Sequence, residues 1–117
     1  MRLKLSGPEL QQLRFKVFER DGWRCVALTL DRTHMCSGPF GIVRPDQWGY
    51  RDILTLEHVN KFSGTGIRAD DREEETLTLC IGANSWTGWA NVWRHEERKY
   101  LAERYPDHWA NVPEVQP

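Results

Sequence analysis

The chain has 117 residues, of which 39 % are hydrophobic and 28 % charged, with a formal net charge of −1. This length predicts one domain, residues 1–117, with its own core. A net charge near zero excludes a uniformly basic nucleic-acid coat protein. The sequence has no run approaching the roughly 20 apolar residues of a transmembrane helix, and its first ten residues lack the apolar stretch of a secretory signal. We therefore expect no membrane partner.

Charge and cysteine content point more specifically. Residues 1–24 carry six basic and three acidic side chains, whereas residues 52–76 carry three basic and seven acidic ones. Such a chain could bind an anion at one place and a cation at another, or it could have two solvated faces. The three cysteines are an odd number, which favours thiol or metal chemistry over a disulfide framework.

The first predicted element is a helix over about residues 8–20. Ser6 is typical of an N-cap, and Glu9 three residues later completes a capping box. Asp21 and Gly22 are expected to end the helix. The apolar stripe expected to face the core consists of Leu10, Leu13 and Val17. The basic residues assigned to the outer surface are Arg14, Lys16 and Arg20.

The remainder of the chain alternates short apolar runs with polar loops. Residues 25–30 are expected to form a short strand, followed by an irregular region to residue 51. Two further strands are predicted at residues 53–56 and 77–80, separated by a long polar loop. A helix starting at about residue 84 or 89 and ending at Tyr105 follows, with a short tail over residues 106–117. This order predicts an α+β fold containing a strand–loop–strand–helix unit.

Glu57 and His58 stand together at the end of the first strand of that unit. Neighbouring side chains on a strand point to opposite faces, but at a strand end both can reach one site. A carboxylate beside an imidazole could provide a metal ligand beside a general base. The alternative is a solvated pair without function.

Several short segments, in order and spacing, resemble the HNH endonucleases, most closely the small HNH proteins of tailed bacteriophages. The resemblance covers roughly residues 14–105. The segments that carry it are residues 21–25, Cys36, residues 56–59, residues 77–80, residues 89–90 and residues 98–101. It implies a ββα-metal (His-Me finger) core over about residues 53–105, with an added N-terminal helix and irregular loops.

The resemblance also implies roles for individual residues. His58 falls on the general base that activates water, and Glu57 on the acidic metal ligand, which is usually aspartate. Asn84 falls on the second ligand, where many members have histidine. Glu75 falls on the position, usually asparagine, that holds the histidine ring. Oxygen ligands favour Mg²⁺ or Mn²⁺, with Zn²⁺ or Ni²⁺ as alternatives.

Relatives of this kind often hold a structural zinc ion with cysteine pairs. Cys25, Cys36 and Cys80 occupy such places here, but the fourth expected position is Ala83. Because a structural zinc site has four ligands, His34 is the candidate for the fourth, with water or an empty position as alternatives. The other interpretation is three buried thiols that pack as apolar groups.

Two arginines of the last helix, Arg94 and Arg98, lie one turn apart and could contact DNA phosphates. The alternative is pairing with glutamates of the same helix.

Together these features predict a divalent-metal-dependent endonuclease that hydrolyses DNA phosphodiester bonds. The phage resemblance implies a terminase subunit as a partner and the cytoplasm of a bacterial host as the location. One alternative is a catalytically silent HNH-like finger that binds DNA or a terminase protein. Another is a small zinc-ribbon adaptor.

Overall fold

The computed structural model describes residues 4–38, 41–42, 54–60, 70–86 and 88–116. It has a mixed α+β fold, as the sequence predicts. The helices are α1 (Gly7–Arg20), α2 (Ala27–Leu30), α3 (Trp89–Val92) and α4 (Arg94–Arg104). The strands are β1 (Ser37–Gly38), β2 (Gly41–Ile42), β3 (Leu54–His58) and β4 (Thr76–Cys80).

Two antiparallel hairpins make up the sheet structure of the described residues. β1 pairs with β2, and β3 pairs with β4. In the second hairpin Leu54 lies opposite Cys80 and His58 lies opposite Thr76. Every residue of β4 is buried, including the polar Thr76 and Thr78. The predicted strands at residues 53–56 and 77–80 are thus confirmed, except that residue 53 lies outside the described residues.

Helix α1 confirms the prediction for residues 8–20. Leu13, Val17 and Phe18 are buried against the hairpin of β3 and β4. The helix ends in a Schellman motif, in which the Trp23 N–H donates to the Phe18 carbonyl and Gly22 has a φ of +76°. Ser6 occupies the N-cap position, but its side chain makes no capping bond.

Arg20 is not on the outer surface, contrary to the prediction. Its guanidinium donates to the carbonyls of Glu73 and Thr76, each at 2.7 Å, and is also bonded to the Asp21 carboxylate. A guanidinium has five donors in a fixed plane, so it can bind a carboxylate and two carbonyls at once. Arg20 therefore connects α1 to the turn that leads into β4.

The segment predicted as a strand at residues 25–30 instead forms the single helical turn α2. The Leu30 N–H donates to the Val26 carbonyl and the Asp31 N–H to the Ala27 carbonyl. Only Val26 joins the sheet edge, through its N–H to the Thr78 carbonyl at 2.8 Å. The strand propensity of residues 25–30 does not decide their structure, because the chain turns away from β4 directly after the bond from Val26.

The C-terminal helix begins late and is broken. A π-helical segment at Gly82–Trp86 precedes α3, and α4 follows α3 after one residue. Gly88, just before α3, has a φ of +73°, a left-handed conformation that favours glycine. Trp109 and Val115 of the C-terminal segment are buried in the core cluster, so this segment packs on the domain. Within the part of the chain that the structure describes, no helix is long and apolar enough to cross a membrane.

Candidate metal centre and candidate active site

The clearest chemical cluster joins three cysteines and a histidine from separate parts of the chain. The ligand atoms of Cys25, His34, Cys36 and Cys80 all lie within 4.8 Å of one another. The three cysteines are reduced and buried, and His34 is half-buried. The cluster could therefore hold a metal ion, with His34 completing the set that the cysteines begin.

The spacing of these atoms matches tetrahedral coordination. A tetrahedron with Zn–S bonds of about 2.3 Å and Zn–N bonds of about 2.0–2.1 Å has S···N edges of about 3.5–3.6 Å. The His34 Nε2 lies 3.7 Å from the Cys25 Sγ and 3.6 Å from the Cys80 Sγ. The backbone N–H groups of Cys80 and Ala83 donate to the Sγ atoms of Cys25 and Cys80, respectively. Such outer bonds stabilise thiolate ligands.

Local structure explains how His34 reaches the cysteines. Asp31, directly after α2, accepts hydrogen bonds from the Thr33 N–H and hydroxyl, which tightens the turn leading to His34. The Trp89 indole N–H donates to the same carboxylate at 2.9 Å. The Trp89 ring lies 5.7 Å from the His34 ring. Helix α3 therefore supports the cluster from outside.

The thiols in the cluster differ in their affinity for protons. Hydrogen bonds from Cys25 and Cys36, together with one from His34, lower the pKa of Cys80. Hydrogen bonds to Cys36 and Cys80, together with burial, raise the pKa of Cys25. Although the bond with Cys25 lowers it, the bond with Cys80 and burial raise the pKa of Cys36 to about 12. The arrangement thus favours a thiolate on Cys80, and the thiolate is the form that binds metal.

A second polar site lies at the other end of the β3–β4 hairpin. His58 lies four positions along β3 from Leu54, the residue opposite Cys80, and this corresponds to about 13 Å along the strand. The His58 Nε2 lies 2.8 Å from the Asp71 Oδ1. The His58 side chain is 27 % exposed and that of Asp71 11 %. The imidazole is therefore held by a carboxylate and is accessible to solvent.

The other residues expected at this site are placed differently. Glu57 lies opposite Leu77 and is fully buried. Asn84, in the π-helical segment, donates through its side-chain amide to the Thr55 hydroxyl at 2.8 Å and the Leu56 carbonyl at 3.1 Å. Asn84 therefore lies against the backbone just before Glu57.

Glu75 holds partners other than the His58 ring. Its carboxylate accepts from the Asn60 amide at 2.7 Å and lies 3.0 Å from the His108 Nε2. The contact with the imidazole that the resemblance implies for Glu75 is made by Asp71. The reason is geometric, because the 3₁₀ turn at Glu73–Glu75 directs this carboxylate toward the C-terminal segment.

The two arginines of α4 also differ. Arg94 donates to the Asn91 side chain at 3.0 Å, and its Nε lies 3.6 Å from the fully buried Glu97 carboxylate. Arg98 donates to the Val59 carbonyl at 3.2 Å, one residue beyond His58. Burial and the neighbouring positive charge of Arg94 lower the pKa of Arg98. Arg98 therefore brings positive charge to the end of β3 that carries His58.

Sequence reasoning missed Asp71. It lies in a run of charged residues, a pattern typical of solvated surface, and nothing in its spacing marks it as a partner of His58.

No family model, curated protein or solved structure matches the chain.

Proposed function

We propose that the chain is an HNH-type nuclease that hydrolyses DNA phosphodiester bonds, with His58 as the general base. The observation that carries this proposal is the partly exposed imidazole at the end of β3, held by Asp71 at 2.8 Å. A strand–strand–helix order of β3, β4 and the C-terminal helices is compatible with the ββα core that the resemblance implies. Fixing a base in one orientation is a requirement of general base catalysis.

The proposed step needs only a water molecule and a phosphodiester. His58 removes a proton from water, and the resulting hydroxide oxygen forms a bond to phosphorus. The bond from phosphorus to the 3′ oxygen then breaks, and the leaving oxygen takes a proton from solvent. The products are a 5′-phosphate and a 3′-hydroxyl. The Arg98 guanidinium, which contacts the carbonyl of Val59, would stabilise the negative charge of a phosphate bound beside His58.

The resemblance implies a divalent ion held by Glu57 and Asn84. Such an ion, when bound, stabilises negative charge on the phosphate oxygens. A catalytic ion needs a coordination position open to substrate, but Glu57 is fully buried. Among the residues the structure describes, the ligand cluster that comes together is the cysteine and histidine cluster, which does not include Glu57. Glu57 does not fit an open site in this conformation, so we assign no step to an ion there.

Plasmid cleavage tests the proposal. We expect the full chain to convert supercoiled plasmid to nicked or linear DNA in one or more of four conditions: EDTA, Mg²⁺, Mn²⁺ or Zn²⁺. His58→Ala should reduce the rate by at least about 100-fold, the scale of a lost general base. His95→Ala is the matched control, because His95 is an exposed histidine of α4. Equal rates for wild type and His58→Ala would refute the assignment.

A second proposal concerns the metal cluster. We infer that Cys25, His34, Cys36 and Cys80 bind one structural Zn²⁺, since three thiolates and an imidazole are a common structural zinc set. Because its four ligands come from the α2 region and β4, the ion would tie two distant segments together. Its ligand Cys80 pairs with Leu54, at the end of β3 away from His58, which favours a structural role over a catalytic one.

Metal analysis and cobalt substitution test the zinc proposal. The purified chain should contain one zinc ion per molecule, and Co²⁺ should give the absorption of a tetrahedral thiolate site. Cys80→Ser should lose the ion and lower the melting temperature. A loss of about 2 kcal/mol in the free energy of unfolding corresponds to a decrease of roughly 10 °C for a chain of this size. Met35→Ala, beside the cluster and exposed, is the control. Full zinc occupancy in Cys80→Ser would contradict the ligand assignment.

The burial of Glu57 also favours a second candidate function, a catalytically silent finger that binds DNA through its arginines. This candidate predicts no cleavage under any ion but salt-dependent DNA binding that weakens in Arg98→Ala. Gel-shift measurements of wild type and His58→Ala, run beside the cleavage assay, separate the two. If the chain is a silent finger, the wild type and His58→Ala should bind DNA equally well, and neither should cut it.

A further inference from the structure

We propose that Asp71 is a positioning residue for His58, and that the backbone N–H of Leu5 holds the Asp71 carboxylate in place. The inference rests on the proposed function of His58 as a general base. It adds to that function a carboxylate and an N-terminal segment to which the sequence patterns assign no role.

The Asp71 carboxylate joins two segments that are far apart in the chain. Its Oδ2 accepts the Leu5 N–H at 2.8 Å, and its Oδ1 lies 2.8 Å from the His58 Nε2. The Asp71 side chain is 11 % exposed. Hydrogen bonds to a carboxylate are stronger than neutral ones, and partial burial limits their screening by salt. The orientation of His58 therefore depends on both contacts of Asp71.

The two oxygens of the carboxylate explain why aspartate stands at this position. Each oxygen takes one donor, the Leu5 N–H on one side and the imidazole N–H on the other. An asparagine offers a single acceptor oxygen and could satisfy only one of the two donors. With Nε2 protonated and bonded to Asp71, Nδ1 is the ring atom that can accept a proton from water. Asp71 thus selects the tautomer that the proposed reaction needs.

The Leu5 contact gives the segment before α1 a place in the site. Residues 4–6 have no regular secondary structure, Ser6 has an extended backbone, and α1 begins at Gly7. Helix α1 packs on β3 and β4, so it fixes the path of the segment before it relative to the hairpin. The packing of α1 therefore influences the orientation of the His58 ring, because the Leu5 N–H contacts the Asp71 carboxylate and this carboxylate contacts the ring.

Kinetics and nuclear magnetic resonance of Asp71 variants test the inference. In the full-length wild type labelled with ¹⁵N, we expect a slowly exchanging His58 Nε2–H resonance. Asp71→Ala should lose this resonance and reduce kcat for plasmid cleavage by about 10–100-fold, with little change in KM. Asp71→Asn should fall between the two. Asp107→Ala, which changes an exposed aspartate of the C-terminal segment, should match the wild type.

A pair of variants at residue 5 tests the backbone donor. Leu5→Pro removes both the side chain and the N–H, whereas Leu5→Ala removes the side chain alone. We expect Leu5→Pro to cut several-fold more slowly than Leu5→Ala and to show faster exchange of the His58 Nε2–H. Melting temperatures of both variants identify any loss of folding.

The readouts distinguish the failure of this inference from that of the proposed function. If the wild type cuts DNA and a folded Asp71→Ala variant cuts at the same rate, Asp71 has no positioning role. If the His58 Nε2–H resonance is absent in the wild type, or unchanged in Asp71→Ala, the contact itself is refuted. If the wild type cuts no DNA, the nuclease proposal fails. The resonance then still decides whether Asp71 holds the ring.

Discussion

At the scale of single residues, the carboxylate of Asp21 connects several elements of the fold. Its fully buried carboxylate is bonded to the Arg20 guanidinium and accepts from the Thr78 N–H and hydroxyl and the Tyr100 hydroxyl. Burial, followed by the charge of Asp21, raises the pKa of Tyr100, so this hydroxyl remains a donor at neutral pH. One carboxylate therefore joins α1, β4 and α4.

Replacing this carboxylate is expected to be costly. Asp21→Ala would leave the Arg20 charge and the Thr78 and Tyr100 donors inside the protein without their acceptor. Breaking a buried ion pair on one side typically costs about 3–5 kcal/mol. We expect a loss of this size in the free energy of unfolding, measured by urea denaturation. Glu9→Ala, in the exposed first turn of α1, should change it by no more than about 1 kcal/mol. Similar values for both variants would contradict the proposed importance of the Asp21 network.

At the scale of elements, the break between the π-helical segment and α3 decides where the last helices lie. Gly88 has a φ of +73°, and an added Cβ would meet nothing within 4 Å. Trp89 and Trp93 stack with their ring centroids 5.5 Å apart, and the Trp89 ring also contacts His34 of the cysteine and histidine cluster. The left-handed glycine thus allows α3 to turn toward the cysteines.

Gly88→Ala should therefore destabilise the protein although alanine is the better helix former. A left-handed alanine costs roughly 1–2 kcal/mol, and the open space means that no steric clash adds to this cost. Val92→Ala in α3 is the control, because Val92 is 78 % exposed. Thermal unfolding of the two variants measures the difference. An equal or higher stability of Gly88→Ala would show that the break is not needed.

At the scale of the whole molecule, an ion pair connects α1 to the turn before β4. Lys16 lies 2.8 Å from Glu73, and the Tyr105 hydroxyl donates to the same carboxylate. Burial raises the pKa of Glu73, but the bonds from Lys16 and Tyr105 outweigh it, so the net pKa lies below the ordinary value of 4.5. The charged form of Glu73 is therefore favoured in the folded state.

The sign of the resulting pH dependence follows from linkage. A carboxylate with a lowered pKa contributes stability above pH 4.5, and the contribution is lost as pH falls through the folded pKa. Glu73→Gln should therefore lower the melting temperature at pH 7 and differ little from the wild type near pH 3. Glu9→Gln should follow the wild type at both values. A constant difference between Glu73→Gln and wild type across this range would contradict the charge-based explanation.

The sequence predicted the elements whose signals are local. Residues close together in the chain are enough to predict three of these features. They are the buried stripe of Leu13 and Val17, the end of α1 at Gly22 and the strand β4. The strand predicted at residues 25–30 was wrong, because a single bond from Val26 to β4 and the turn that follows it are long-range features.

The candidate site shows the same division. The residue types show that three thiols and an imidazole are available as ligands, and the strand pattern predicts that His58 follows the end of a strand. Long-range packing brings His34 to within 3.7 Å of the Cys25 and Cys80 sulfurs and places Asp71 beside the His58 ring. It also buried Glu57 and turned Glu75 toward His108. The physical reason is that residue type fixes which bonds a side chain can make, whereas the packing of distant segments decides which partner is within reach.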